Sequence, residues 1–194
     1  MKQKLATFLS GSIFFLITLA TPGYSCVGRI LNLTINDSLE QKIVGQIMAT
    51  YITERTGTTV NLVNASAGQE KNQCSTDVCI HYLNIALSGM SKDSQAQSDR
   101  EAYSLVKEYY IDNQKLVWLN PFGYKGPVDQ QATASLAVPV ANQESLDKFP
   151  VLDRVINKLG DLIDNAALQQ LIQQAKNGDP ETVAKDFLKH RNLI

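Results

Sequence analysis

The hydrophobic and polar positions change period several times along the chain, and each change marks an element. Arg29 to Ile35 alternates, with Ile30, Leu31, Leu33 and Ile35 carrying branched apolar side chains, and predicts a first strand. Asn36-Asp37-Ser38 then offers helix-capping oxygens, and Gln41 stands three residues after Ser38 as a capping-box partner. From Leu39 to Arg55 the apolar positions Leu39, Ile43, Ile47, Met48, Tyr51 and Ile52 recur at helical spacing, and Gly57 is a natural stop. Thr58 to Val63 reads as a second strand. Strand, helix, strand in this order predicts a parallel crossover unit with the helix on the sheet face.

The pattern then loosens. Asn64 to Asp77 is polar and reads as a loop, Val78 to Leu83 as a third strand, and Ser88 to Asp99 as a polar linker. Asp99 to Asp112 predicts a helix with Ala102, Leu105, Val106 and Tyr109 on one face. Leu116 to Leu119 is a short strand broken by Pro121 and Gly123, and Tyr124 to Thr133, with Gly126-Pro127, is a loop. Ala134 to Val140 makes the last strand. Helices follow over Pro150–Leu159, Asn165–Lys176, and from the N-cap Asp179 and Pro180 to Lys189. The expected fold class is α/β: a three-layer sandwich with about five mostly parallel strands.

The N-terminus changes the picture. Lys2 and Lys4 precede an apolar stretch from Leu5 to Ala20, and Thr21, Pro22, Gly23 and Ser25 lead into Cys26. That is the order of a secretory signal peptide over residues 1–25, followed by one domain over residues 26–194. The competing reading, an uncleaved membrane anchor, needs about 20 apolar residues, and Pro22-Gly23 ends this run early. Removing Lys2 and Lys4 with the leader leaves 16 basic against 19 acidic side chains, a net charge of −3. With no basic stripe and few aromatics, nucleic acid is not an expected partner.

Three cysteines follow from the same compartment. Cys26, directly after the leader, is a candidate for lipidation, although Gly23-Tyr24-Ser25 fits the usual lipoprotein pattern poorly. Cys74 and Cys79 remain as an even pair suited to a disulfide in an oxidising environment. They are too few for a zinc site, and no metal or other cofactor is expected. The location expected is periplasmic or otherwise extracytoplasmic, with membrane anchoring through Cys26 as an open alternative.

Candidate chemistry is sparse. Cys79 and His81 alternate on one strand, as a nucleophile and base would, but alternation places any such pair on one face. His190 sits in a C-terminal helical turn, where a cation suits the dipole. There is no phosphate-binding Walker loop, no G-x-S-x-G elbow and no H-E-x-x-H. The chain is read as a non-enzyme, with no catalytic residues.

Several segments resemble one family. Asn36 to Gly45, with Glu40, Gln41, Ile43 and Gly45, followed by Thr56, Gly57 and Val60, is similar to the opening of glycine betaine, choline and proline betaine binding proteins of ABC importers. Tyr82-Leu83-Asn84-Ile85-Ala86-Leu87 looks like that family's Y-T-G-T-A-L, whose tyrosine helps form the ligand cage. Val117-Trp118-Leu119-Asn120-Pro121-Phe122-Gly123-Tyr124 resembles its V-W-L-x-P-L-G-F. Phe149-Pro150-Val151-Leu152, Asn157-Lys158-Leu159 and Asn177-Gly178-Asp179-Pro180 to Phe187-Leu188 resemble its C-terminal helices.

The resemblance implies one lobe of a type II periplasmic binding protein that presents a quaternary amine to an ABC permease. It nominates Tyr82, Tyr124, Trp118, Gln41 and Glu40 as ligand-binding residues. Each keeps a structural alternative: core packing for Trp118 and Tyr82, and a first-turn acid favoured by the helix dipole for Glu40. The departures are specific. Leu83, Asn84 and Ile85 replace Thr, Gly and Thr, and Asn36 and Ser38 replace Lys and Phe. The chain also passes from Tyr124 to the last strand near Ala134 where relatives insert a second lobe. The alternative function is therefore an envelope interaction or regulatory module without ligand, including a homodimer that closes two half-clefts on each other.

Overall fold

A computed structural model describes residues 29–65, 74–90, 96–129 and 133–194. The expected leader, its cleavage zone and Cys26 lie outside the described residues. The elements run β1 (Ile30–Ile35), α1 (Leu39–Thr56), β2 (Thr59–Asn64), β3 (Val78–Tyr82), α2 (Leu83–Ser88), α3 (Asp99–Gln114), β4 (Leu116–Trp118), β5 (Lys125–Gly126) and β6 (Ser135–Asn142). Four helices close the chain: α4 (Gln143–Lys148), α5 (Leu152–Asn157), α6 (Asn165–Asn177) and α7 (Pro180–His190).

The strands form one sheet in the order β2-β1-β3-β6-β4, with β5 paired to β6. β1 is parallel to both β2 and β3, whereas β6 is antiparallel to β3 and β4. β4 therefore points the same way as β1 to β3, and β6 alone among the five runs backwards between them. The sheet is mostly parallel, as the α/β reading expects.

Alternation within the strands sorts the core into two layers. Leu31, Leu33 and Ile35 of β1 and Val78, Ile80 and Tyr82 of β3 face α1 and the C-terminal helices. Cys79, Val138, Val140, Leu116 and Trp118 face the other way, against Ala86 of α2 and Ala102, Val106 and Tyr110 of α3. Cys74 and Cys79 are joined by a disulfide with Cα atoms 5.8 Å apart, which ties the approach to β3 onto the strand itself.

α1 is the central helix of the first layer. Ser38 caps it by accepting from the Gln41 N–H at 3.2 Å, and the Gln41 side chain accepts from the Asn36 N–H at 2.9 Å. That second bond reaches past the cap residue itself, so the expected capping box closes around Asn36 rather than Ser38. Gly57 ends the helix with φ 71°, its N–H bonded to the Thr53 carbonyl.

Three details differ from the sequence reading. The third strand stops at Tyr82, and Leu83–Ser88 turns into α2, held by the Asn84 N–H donating to Ser135 Oγ at 2.9 Å. A continuous apolar run cannot separate the end of a buried strand from the start of a buried helix. The last strand extends to Asn142 and passes directly into α4, while α5 begins only at Leu152.

One packing contact is testable. A Cβ on Gly45 would stand 2.6 Å from Ile35 Cγ2, so the absence of a side chain lets α1 approach β1 this closely. Gly45→Ala would gain about 1 kcal/mol of helix propensity. Overpacking against a branched side chain costs about 1–3 kcal/mol, so net destabilisation is the expected result in urea unfolding. An unchanged or raised midpoint would refute the tight seat.

Candidate ligand site at the carboxyl ends of the parallel strands

In open α/β sheets, ligands bind outside the carboxyl ends of the parallel strands. At that end of this sheet, β3 delivers Tyr82 as its last residue, and the first turn of α1 delivers Glu40 and Gln41. Tyr124 follows β4 and lies on the same side of the sheet, its ring stacked near Phe122 with centroids 6.0 Å apart. Four of the five residues nominated from the sequence therefore converge. Trp118 does not join them: it packs on the opposite face, against Tyr110 at 5.6 Å and His81 at 5.9 Å between ring centroids.

The convergent residues form a hydrogen-bonded network. The Tyr82 hydroxyl donates to Glu40 Oε1 at 2.8 Å and accepts from Gln41 Nε2 at 3.3 Å. The second oxygen of Glu40 accepts from the Val128 backbone N–H at 2.7 Å. The Tyr124 hydroxyl lies near enough to Glu40 for the carboxylate to raise its pKa, yet it makes no bond of hydrogen-bond geometry. None of the four is open to solvent: Glu40 is 4% exposed, Gln41 2%, Tyr82 3% and Tyr124 0%.

Glu40 and Tyr82 are covered by the segment Lys125–Asp129. β5 pairs with the start of β6 through Lys125↔Leu136 and Gly126↔Ser135, and Gly126 then lies directly on the network. A Cβ there would fall 2.2 Å from Glu40 Oε1 and 2.7 Å from Tyr82 Cε1. Sequence reasoning marked Gly126-Pro127 only as a loop. Only the missing side chain at Gly126 signalled a close backbone approach.

The electrostatics are unusual for a glutamate. No Lys, Arg or His among the described residues pairs with Glu40, and the three ion pairs found lie elsewhere. Burial raises the Glu40 pKa above its ordinary value of 4.5, partly offset by the Val128 and Tyr82 hydrogen bonds. Burial also raises the pKa of Tyr82 and Tyr124, with Glu40 adding to both, so both phenols stay protonated.

The other candidates lie apart. Cys79 is committed to the disulfide, which removes it as a nucleophile beside His81. His190 is exposed and borders a groove of about 460 Å³ between α6 and α7. A second cleft, of about 560 Å³, is lined by Arg29, Asp77, Lys148 and Phe149 at the amino ends of β1 and β3. Neither reaches Glu40 or Tyr82. Among the described residues, no cluster of side chains suited to a metal ion occurs, and no helix is long and apolar enough to cross a membrane.

Residues 107–190 match the substrate-binding domain family of ABC-type glycine betaine transport systems. The resemblance read from the sequence is thus borne out over the stretch that holds Trp118 and Tyr124. A crystal structure titled as a glycine betaine/carnitine/choline ABC transporter superposes with TM-score 0.73 at 14% identity, covering 85% of this chain and 98% of that one. Apo YehZ from Escherichia coli gives TM-score 0.65 at 12% identity, covering 84% and 99%. No curated protein matches by sequence. At such identities the superpositions establish the fold, that of a periplasmic binding protein lobe. Substrate-binding domains of the matched family are non-catalytic, work with an ABC permease and are normally extracytoplasmic.

The raised Glu40 pKa gives a pH signature. A raised carboxyl pKa contributes stability that is present in full below about pH 4.5 and lost as pH rises through the folded-state value. Glu40→Gln cannot titrate, so the wild type's advantage over it in melting temperature should shrink as pH rises from 4 to 8. An advantage that grows over that range would mean Glu40 is stabilised as a carboxylate instead.

Proposed function

We propose that this protein is a single-lobe, non-catalytic substrate-binding component of an ABC importer for glycine betaine, choline or a related quaternary amine. In this reading residues 1–25 direct export, residues 26–194 work outside the cytoplasm, and Cys26 is the point at which a lipid would hold the lobe to the membrane. The observation that carries the reading is the meeting of Glu40, Gln41, Tyr82 and Tyr124 at the carboxyl ends of β1 and β3.

The chemistry suits the ligand class. A quaternary ammonium donates no hydrogen bond, so it is recognised by aromatic faces and by negative charge. Tyr82 and Tyr124 supply the rings and Glu40 the charge, while Gln41 fixes the Tyr82 hydroxyl from behind. Trp118, on the far side of the sheet, takes the structural role. A lone lobe leaves much of a ligand wet, which implies weak binding, in the millimolar range of dissociation constant.

A second reading rests on a different observation. All four residues are buried, and Gly126 and Val128 lie directly on Glu40 and Tyr82, so the lobe also fits an envelope interaction or regulatory module that carries no ligand. Its homodimeric form predicts self-association, and a clean monomer by light scattering would remove that form.

Calorimetry separates the two. Choline, glycine betaine or carnitine should produce saturable heat, Tyr82→Phe should retain it, and Tyr82→Leu should weaken binding about tenfold through loss of one cation–π face. The absence of heat at tens of millimolar of all three ligands, with the site open, would sink the transport reading.

A further inference from the structure

The segment that covers the site is built into it rather than laid over it. Its base is zipped to β6, the Lys125 N–H donates to Asn165 Oδ1 at 2.9 Å, and the Lys125 ammonium pairs with Asp99 at 2.7 Å. Its far end is held by a bond of a different kind. The Val128 N–H spends its hydrogen on a buried carboxylate that has no cation beside it among the described residues.

Gly126 completes the fit. Its Cα meets Glu40 and Tyr82 so closely that no other residue's side chain has room there. Val128 also packs half-buried against the first core layer. Together these contacts place backbone and a small apolar side chain where a compact ligand would touch the tyrosine and the glutamate.

We infer that Lys125–Asp129 is an intrachain occupant of the ligand site, a strap latched by Glu40 through the Val128 amide, and that a ligand enters by displacing it. The inference rests on the function proposed above and adds how the site is kept closed. The exchange has a clear direction. A carboxylate binds a full positive charge more strongly than one amide dipole, so a small organic monocation is the class of ligand able to compete for Glu40. An anion or a neutral sugar would leave the latch in place. Because only the strap-free population binds, the apparent affinity is the intrinsic affinity reduced by that fraction.

Two measurements on the full chain test this. The first is amide hydrogen exchange at Val128 by NMR, which needs no ligand. Glu40→Gln should speed exchange at Val128 about tenfold or more, while amides of β3 stay protected. The fluorescence of Trp118, the single tryptophan and on the opposite face, reports that the fold is intact. Unchanged exchange at Val128 in a folded Glu40→Gln protein overturns the latch.

The second is choline titration of the wild type and of Asn165→Ala, which removes the acceptor of the Lys125 N–H and so loosens the strap's base without altering Glu40 or Tyr82. Asn165→Ala should bind choline more tightly, by about threefold or more, and choline should speed Val128 exchange in the wild type. Equal affinity in both proteins, or a Val128 amide that stays protected in the choline-saturated wild type, overturns the inference and leaves the transport reading standing. Faster Val128 exchange in Glu40→Gln with no choline binding by either protein supports the latch and overturns the transport reading instead.

Discussion

β6 is the strand on which the sheet depends. β3, which also pairs with β1, and β4 are not paired with each other; β6 lies between them and runs against both. Without it, the crossover unit of β1, α1 and β2 and the later unit of α3 and β4 would be separate half-sheets. β6 accordingly is buried along most of its length, with Ala137 and Ala141 turned to the α1 layer and Val138 and Val140 to the α3 layer. Small residues on the first face leave room for α1 and its helices. β6 also dictates the site, because β5 can only pair along its first residues, and that pairing aims the rest of the strap at Glu40.

Against this frame the Glu40 network looks costly in isolation. A buried carboxylate loses its water, and hydrogen bonds from one phenol and one amide replace only part of that solvation. A fold selected for stability alone would put an apolar side chain there. Fully buried acidic side chains are rare unless paired, and no Lys or Arg among the described residues pairs with Glu40. Burial that displaces a titratable group in this way is one of the arrangements that functional sites use. The network also explains why two tyrosines and an amide gather around one first-turn acid, which a helix-dipole role alone would not require.

Much of this was legible in the sequence, and for reasons that can be named. The β1–α1–β2 unit announced itself because its strand alternates, its helix has a cap and a glycine stop, and the two periods differ sharply. The cysteine pair followed from counting, and the structure closes that disulfide. Glu40, Gln41, Tyr82 and Tyr124 came from a resemblance rather than from periodicity, and they meet at one place. Trp118 was nominated with them, but its position in β4 gives it the opposite parity, so its ring goes to the other layer. What stayed hidden were contacts made by backbone. Val128 acts through its amide and Gly126 through lacking a side chain, and neither leaves a mark in a hydrophobic pattern. α2 was hidden for a related reason: Val78 to Leu83 is buried throughout, and uniform burial carries no period.

The burial of α1 has a last consequence, for how the chain tolerates being cut. α1 rests on the sheet with one side and is covered by α5, α6 and α7 on the other, leaving only a narrow polar stripe through Lys42, Gln46, Thr50 and Thr53 outside the core. A helix with so wide a buried side needs cover on both flanks of its polar stripe. The last thirty or so residues are that cover: Leu168, Leu171, Ile172, Ala184 and Leu188 close over a helix laid down far earlier in the chain. A protease nick or premature stop near Gly160 would leave the sheet's pairing intact yet strip that cover. Leu168, Leu171, Ile172, Ala184 and Leu188 would no longer cover Ile43, Ile47, Met48 and Ile52, and an apolar patch bared in this way promotes association.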